Sequence, residues 1–136
     1  MVGEALAFTG DPRALPALRR ALRDQAMTVR LHAMLGLAHL ADPAAGPALL
    51  PLLRDISGGI RVNAIAVIRE LRPAGACAAL QRAMRDPQWY VRQAAAEAIG
   101  DLACGRCAAA LQRLLADPRP AVARAARQAL GAMGER

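Results

Sequence analysis

The stretch DQAMTVRLHAMLGL (Asp24–Leu37) decides the reading of this chain, because its pattern returns three times. It comes back as DISGGIRVNAIAVI (Asp55–Ile68), as DPQWYVRQAAAEAI (Asp86–Ile99) and as DPRPAVARAARQAL (Asp117–Leu130). The spacing is 31 residues each time, without an insertion. Asp opens every copy. Val29, Ile60, Val91 and Val122 fall on the period, as do Ala33, Ala64, Ala95 and Ala126 and then Leu37, Ile68, Ile99 and Leu130. Working outward from the aspartates, Leu18, Leu49, Leu80 and Leu111 keep the same register. Self-similarity at this period marks a stack of supersecondary units, none of which can bury its apolar face alone.

Each unit reads as two helices. Asp11-Pro12 and Asp42-Pro43 suit helix starts, with Asp as the N-cap and Pro at the first helical position. Leu15, Leu18, Ala21 and Leu22 then recur at helical spacing. A turn follows at Asp24–Met27, where later units place Ser57-Gly58-Gly59 and Asp86-Pro87. The pattern predicts first helices near 12–23, 43–54, 74–85 and 105–116, and second helices near 28–40, 59–71, 89–102 and 120–133. Pro47 and Pro51 should bend the first helix of the second unit, since Pro51 cannot donate to the carbonyl four residues back. The expected organisation is one repeat domain over 1–136, with a partial capping helix at 1–10 and repeats at 11–41, 42–72, 73–103 and 104–136.

Composition agrees with an all-α stack of four antiparallel helix pairs, an α-solenoid. Phe8, Trp89 and Tyr90 are the only aromatic residues. A globular core of this size usually recruits more large rings, whereas thin layers of Leu, Ile, Val and Ala need none. All 18 basic residues are Arg, against 11 acidic ones, a bias that fits a GC-rich bacterial genome. No stretch reaches the roughly 18 consecutive apolar residues of a membrane span. Met1–Asp11 lacks the basic and apolar segments of a secretory leader. Three cysteines make an odd count, so a reducing, cytoplasmic setting is expected.

The motif D-x-x-x-x-V/I-R, with Ala four residues after the V/I position and Leu or Ile eight after it, resembles HEAT repeats. It is most similar to their short class named after phycobilin lyases, because the usual HEAT period is longer, about 40–47 residues. The resemblance covers Asp11 to Met133 and implies a HEAT-like superhelix. It also implies that Asp24, Asp55, Asp86 and Asp117, with Arg30, Arg61 and Arg92, form a hydrogen-bonded structural ladder. Each arginine fork should bridge an aspartate of its own unit and one of a neighbour. Ala123 stands where the last unit would carry its arginine.

Two surfaces remain as functional candidates. Second helices should form the concave face, presenting Leu31, Leu35, His39 and Val62, then Tyr90, Gln93, Glu97 and Asp101. Such a groove suits a protein or peptide segment, because contiguous apolar patches mark contacts and aromatic anchors concentrate binding energy. Against Tyr90 as an anchor stands the reading in which Trp89 plugs the inter-helix turn. First helices should carry a basic convex stripe, Arg20, Arg23, Arg54, Arg82, Arg85 and Arg113. The stripe could attract acidic protein or nucleic acid, or simply keep an Ala-rich chain in solution. Few rings are available for base stacking, which favours protein over nucleic acid as the partner.

Catalysis has little support. His32 and His39 belong to no metal motif, and Glu97 with Asp101 has no evident pocket to tune one proton affinity. No residue set calls for a cofactor or a metal, and the His-Glu pair of HEAT-type di-iron hydroxylases is missing. Cys104 and Cys107 form C-x-x-C at a helix start, and Cys77 lies one unit earlier. The three thiols could converge, but structural zinc normally takes four ligands. Buried packing is therefore expected over a redox or metal role. The overall expectation is a non-catalytic interaction scaffold, monomeric or part of a larger assembly. A lyase or chaperone subunit of the phycobilin-lyase type is the reading that the resemblance alone implies.

Overall fold

The computed structural model describes residues 12–40 and 43–134. The expected capping helix at 1–10 and the caps Asp11 and Asp42 lie outside the described residues. The chain divides into two compact units, Met1–Ala74 and Gly75–Arg136. Helices account for the regular structure, and no strand occurs among the described residues.

In the first unit, Pro12–Ala14 is a 3-10 turn leading into α1, Leu15–Ala21. The second helix of that pair is α2, Met27–Leu40. The next pair begins with a 3-10 turn at Pro43–Ala45 and the short α3, Gly46–Leu49, then closes with α4, Gly58–Leu71. Between α3 and α4 the chain runs as 3-10 helix, Leu50–Arg54. The expected bend is thus a change of helix type. Pro47 sits in the first turn of α3, where a missing N–H costs nothing, while Pro51 would deny the α-helical ladder a donor. Tighter i to i+3 bonding takes over after it, as in Asp55 N–H to Leu52 O at 3.1 Å.

The second unit follows the same plan. Its helices are α5, Ala76–Ala83; α6, Trp89–Leu102; α7, Ala108–Leu114; and α8, Pro120–Gly134. A 3-10 turn at Gly105–Cys107 precedes α7.

The periodic apolar residues form the cores. Leu18 and Leu49 in the first unit, and Leu80 and Leu111 in the second, are almost wholly buried. Ile60, Ala64 and Ile68 line up in α4 as Val91, Ala95 and Ile99 do in α6. Small residues let second helices approach closely. A Cβ added to Gly100 of α6 would lie 3.0 Å from both Cα and Cβ of Ala129 in α8.

Helix ends repeat too. Arg72 and Ala103, one period apart, take left-handed φ values of 49° and 53° just past α4 and α6. The Arg72 N–H donates to Ile68 O at 2.8 Å, and the Cys104 N–H reaches Ile99 O at 3.1 Å, which satisfies the last helical carbonyls. Ser57 caps α4 by accepting from the Ile60 N–H at 3.3 Å.

Candidate functional site

The aspartates earn their fixed place through two bonds of different kinds. In all four copies the carboxylate accepts from the backbone N–H two residues on: Ala26 at 2.8 Å, and Ser57, Gln88 and Arg119 at 2.9 Å. This is an Asx turn, which sets the direction of the chain into the second helix. The second bond comes from the preceding repeat. Arg30 Nε and Nη2 donate to the two oxygens of Asp55 at 2.7 and 3.0 Å. Arg92 grips Asp117 in the same way, at 2.8 and 3.2 Å.

The remaining guanidinium nitrogen turns back into its own repeat. Arg30 Nη1 donates to the carbonyls of Asp24 and Gln25 at 2.9 and 3.0 Å, and Arg92 Nη1 to those of Asp86 and Pro87 at 2.8 and 3.2 Å. Arg61 Nη1 reaches Asp55 O at 2.7 Å. Arg30 and Arg92 thus bridge the aspartate of their own unit and that of the next, the first through its backbone and the second through its carboxylate. The own-unit partner is backbone carbonyl, because the Asx turn aims that carboxylate away. Asp117 feels the arrangement. Burial pushes its carboxyl up, but the Arg92 hydrogen bonds, the Arg119 backbone N–H and the Arg92 charge together hold it below 3.8.

The proposed groove residues fall into two sets. Leu31, Leu35 and His39 lie along α2 and Val62 on α4, the helix packed against it in the first unit. Leu35 is 43% exposed, His39 is exposed, and Leu31 and Val62 are half-buried. Tyr90, Gln93, Glu97 and Asp101 share α6 in the second unit; Asp101 is exposed and the other three are half-buried. The structure thus groups four residues in each unit.

Tyr90 meets Trp89 edge to face at 6.0 Å, and the Arg119 guanidinium lies 4.8 Å over the Trp89 ring. Arg119 comes from the turn of the following repeat, so this cation–π contact joins two turns. Trp89 is half-buried at the first residue of α6.

Arg20, Arg23, Arg54, Arg82, Arg85 and Arg113 are all exposed. In the first unit Arg20 and Arg23, joined by Arg19, border an open cleft of about 690 Å³, with Pro47, Ala48 and Pro51 on the other side. Leu22 and Leu52, both buried, form its floor. Arg19 crosses one end and donates to Ala44 O at 2.7 Å. A second, shallower hollow shares Leu22, Arg23, Pro51 and Leu52 and extends to Arg54 and Ile56. Ile56 is 94% exposed. Arg20, Arg23 and Arg54 belong to the basic stripe expected from the sequence, whereas Arg19 and the proline wall do not. Pro47 and Pro51 carry the signal for that wall, beyond the bend that they impose.

Cys77 and Cys104 are joined by a disulfide, with Cα atoms 5.7 Å apart, and this corrects the packing expectation for both. The two residues begin neighbouring first helices, a separation that a disulfide spans. Cys107 is buried and free; its thiol points to Cys77 O at 3.5 Å and to Gln81 Oε1 at 3.8 Å. Burial raises its proton affinity above the ordinary 9.0, against a smaller opposing effect of Arg106. A bonded pair also removes the ground on which a reducing compartment was inferred. Among the described residues no group of three His, Cys, Asp or Glu could hold a metal ion, and no helix is long and apolar enough to cross a membrane.

Aspartate-initiated helix pairs, tied by arginine forks to the next repeat, are the architecture of a helical repeat protein. A family model described as HEAT repeats matches residues 1–69 and 46–131, and the chain belongs to that family. No curated protein matches the chain significantly. Among solved structures, the complex of CpcE and CpcF of phycocyanin lyase from Nostoc sp. PCC7120 is similar at TM-score 0.78 and 21% identity, covering 98% of this chain. The chain spans 58% of that one. A designed armadillo repeat protein is similar at TM-score 0.64 and 25% identity, over 88% of this chain and 64% of its own. An engineered protein follows at TM-score 0.68 and 20% identity, over 98% and 67%. These likenesses establish an all-α solenoid fold of the HEAT and armadillo kind.

Proposed function

We propose that the chain is a non-catalytic interaction module that binds a protein or peptide segment on the exposed faces of its second helices. The observation that supports this most is the division of labour among side chains. The periodic Asp and Arg residues are consumed by turns and inter-repeat bonds, which leaves Leu31, Leu35 and Val62 in one unit and Tyr90, Gln93 and Glu97 in the other at accessible surface. Apolar side chains held at a surface by a rigid helix pair are suited to contact. The Cys77–Cys104 bond bears against the cytoplasmic setting expected from the odd cysteine count, and counting free thiols in protein alkylated inside native cells tests that setting.

Affinity capture from the native organism tests the binding reading, comparing the wild-type chain with Tyr90→Ala and with Arg20→Glu plus Arg82→Glu. Loss of a partner with Tyr90→Ala alone supports the second-helix face. Loss with the arginine reversals alone contradicts it. A second reading, a subunit of a two-chain lyase or chaperone assembly, is favoured by the likeness to the CpcE and CpcF complex. It predicts a spectral change when the chain is mixed with a bilin.

A further inference from the structure

The cleft of the first unit combines features that the second-helix faces lack. Its floor is apolar, with Leu22 and Leu52 below and the exposed rings of Pro47 and Pro51 along one wall. Its other wall is cationic. Among the described residues no partner engages the guanidinium groups of Arg20, Arg23 or Arg54, whereas Arg19 is already bonded to Ala44 O. Among the described residues two acidic groups face the adjoining hollow. Asp55 is held by Arg30, and Asp24 is turned to the Ala26 N–H, so free positive charge dominates the rim.

We propose that this cleft, with the adjoining hollow that reaches Arg54, is a docking site for a short acidic peptide segment, whose carboxylates meet Arg20, Arg23 and Arg54 while an apolar side chain rests on Leu22, Pro51 and Leu52. Charge complementarity selects an anionic occupant, since a guanidinium fork matches a carboxylate in two parallel bonds. The floor selects a peptide over a nucleic acid, because aliphatic side chains and proline rings give bases no aromatic platform. The 3-10 helix, Leu50–Arg54, is what makes the wall. It places Pro51 toward the cleft where a regular helix would have needed an N–H donor. The proposal goes beyond the second-helix reading and uses a different face, so the two fail separately.

The test is selection of a random octapeptide display library on the full chain, with counter-measurement on Arg20→Glu plus Arg23→Glu and on Tyr90→Ala. Both arginines are exposed, and circular dichroism melting checks that the double variant keeps its fold. The expected result is enrichment of peptides with two or more acidic residues flanking an apolar one, at least tenfold weaker on the double arginine variant and unchanged on Tyr90→Ala. Replacing the apolar residue of a selected peptide by Ser should weaken it several-fold. No enrichment, or selected peptides that bind the double variant equally, overturns the proposal. Insensitivity to the Ser replacement also overturns it, because charge alone would then explain binding. Displacement of a selected peptide by oligo-dT at the same concentration would assign the rim to nucleic acid instead. Loss on Tyr90→Ala alone would sustain the second-helix reading and reject the cleft.

Discussion

The two units carry nearly the same rung in different surroundings. Arg30 holds Asp55 at 2.7 and 3.0 Å, and Arg92 holds Asp117 at 2.8 and 3.2 Å. Around the first rung the neighbouring first helix is broken, with α3 giving way to 3-10 structure and a cleft beside it. Around the second, first helices are joined at their starts by the Cys77–Cys104 bond, and Trp89 is locked under Arg119. The rung belongs to the repeat, whereas the wall is free to vary. Specialised function is thus to be sought in the walls, and rung substitutions should act on stability.

The disulfide offers the largest contrast. Its cysteines are 27 residues apart, and loop-closure entropy assigns such a bond about 3.5 kcal/mol. Reduction, or Cys77→Ser, should lower protection against hydrogen exchange throughout the second unit by roughly that amount and leave the first unit as it was. Equal loss in both units would break the comparison.

Next in size is the rung itself. Arg92→Ala should cost about 2 kcal/mol in denaturant unfolding, because the half-buried Asp117 is left without its fork. The same change should alter acid stability. Asp117 has a folded proton affinity below its unfolded one, so its contribution is complete above the usual 3.8 and disappears as pH falls through the folded value. In Arg92→Ala that part of the acid transition should flatten. A wild-type acid limb in the variant would show that the carboxylate draws its stability from elsewhere.

The smallest effect concerns helix ends. Ala103 adopts φ 53° with a Cβ, a conformation that glycine takes without penalty. Ala103→Gly should stabilise the second unit by about 0.5–1 kcal/mol, visible as a rise in Tm. A fall would mean that the side chain of Ala103 contributes packing that outweighs the backbone term.

Much of this was legible in the chain. Period and helical spacing located the pairs, since Leu18, Leu49, Leu80 and Leu111 are buried wherever the pattern put an inward position. Asp and Arg were also recognised as structural. What the sequence concealed was geometry beyond one repeat. Whether an arginine takes a carboxylate or a carbonyl depends on where the Asx turn has aimed the carboxylate, and spacing alone does not carry that. The pairing of Cys77 with Cys104, and not of Cys104 with Cys107, depends on two helix starts lying side by side. The cleft was hidden for a similar reason. Pro51 reads as a local break until the helix opposite, with Arg20 and Arg23, is placed across from it.

The central claim is that a fork from one repeat to the aspartate of the next couples neighbouring repeats. A double-mutant cycle of Arg92→Ala and Asp117→Asn, read by denaturant unfolding of the full chain, measures that coupling directly. The account predicts a coupling free energy of about 1.5 kcal/mol or more. Strict additivity of the two single changes would contradict it.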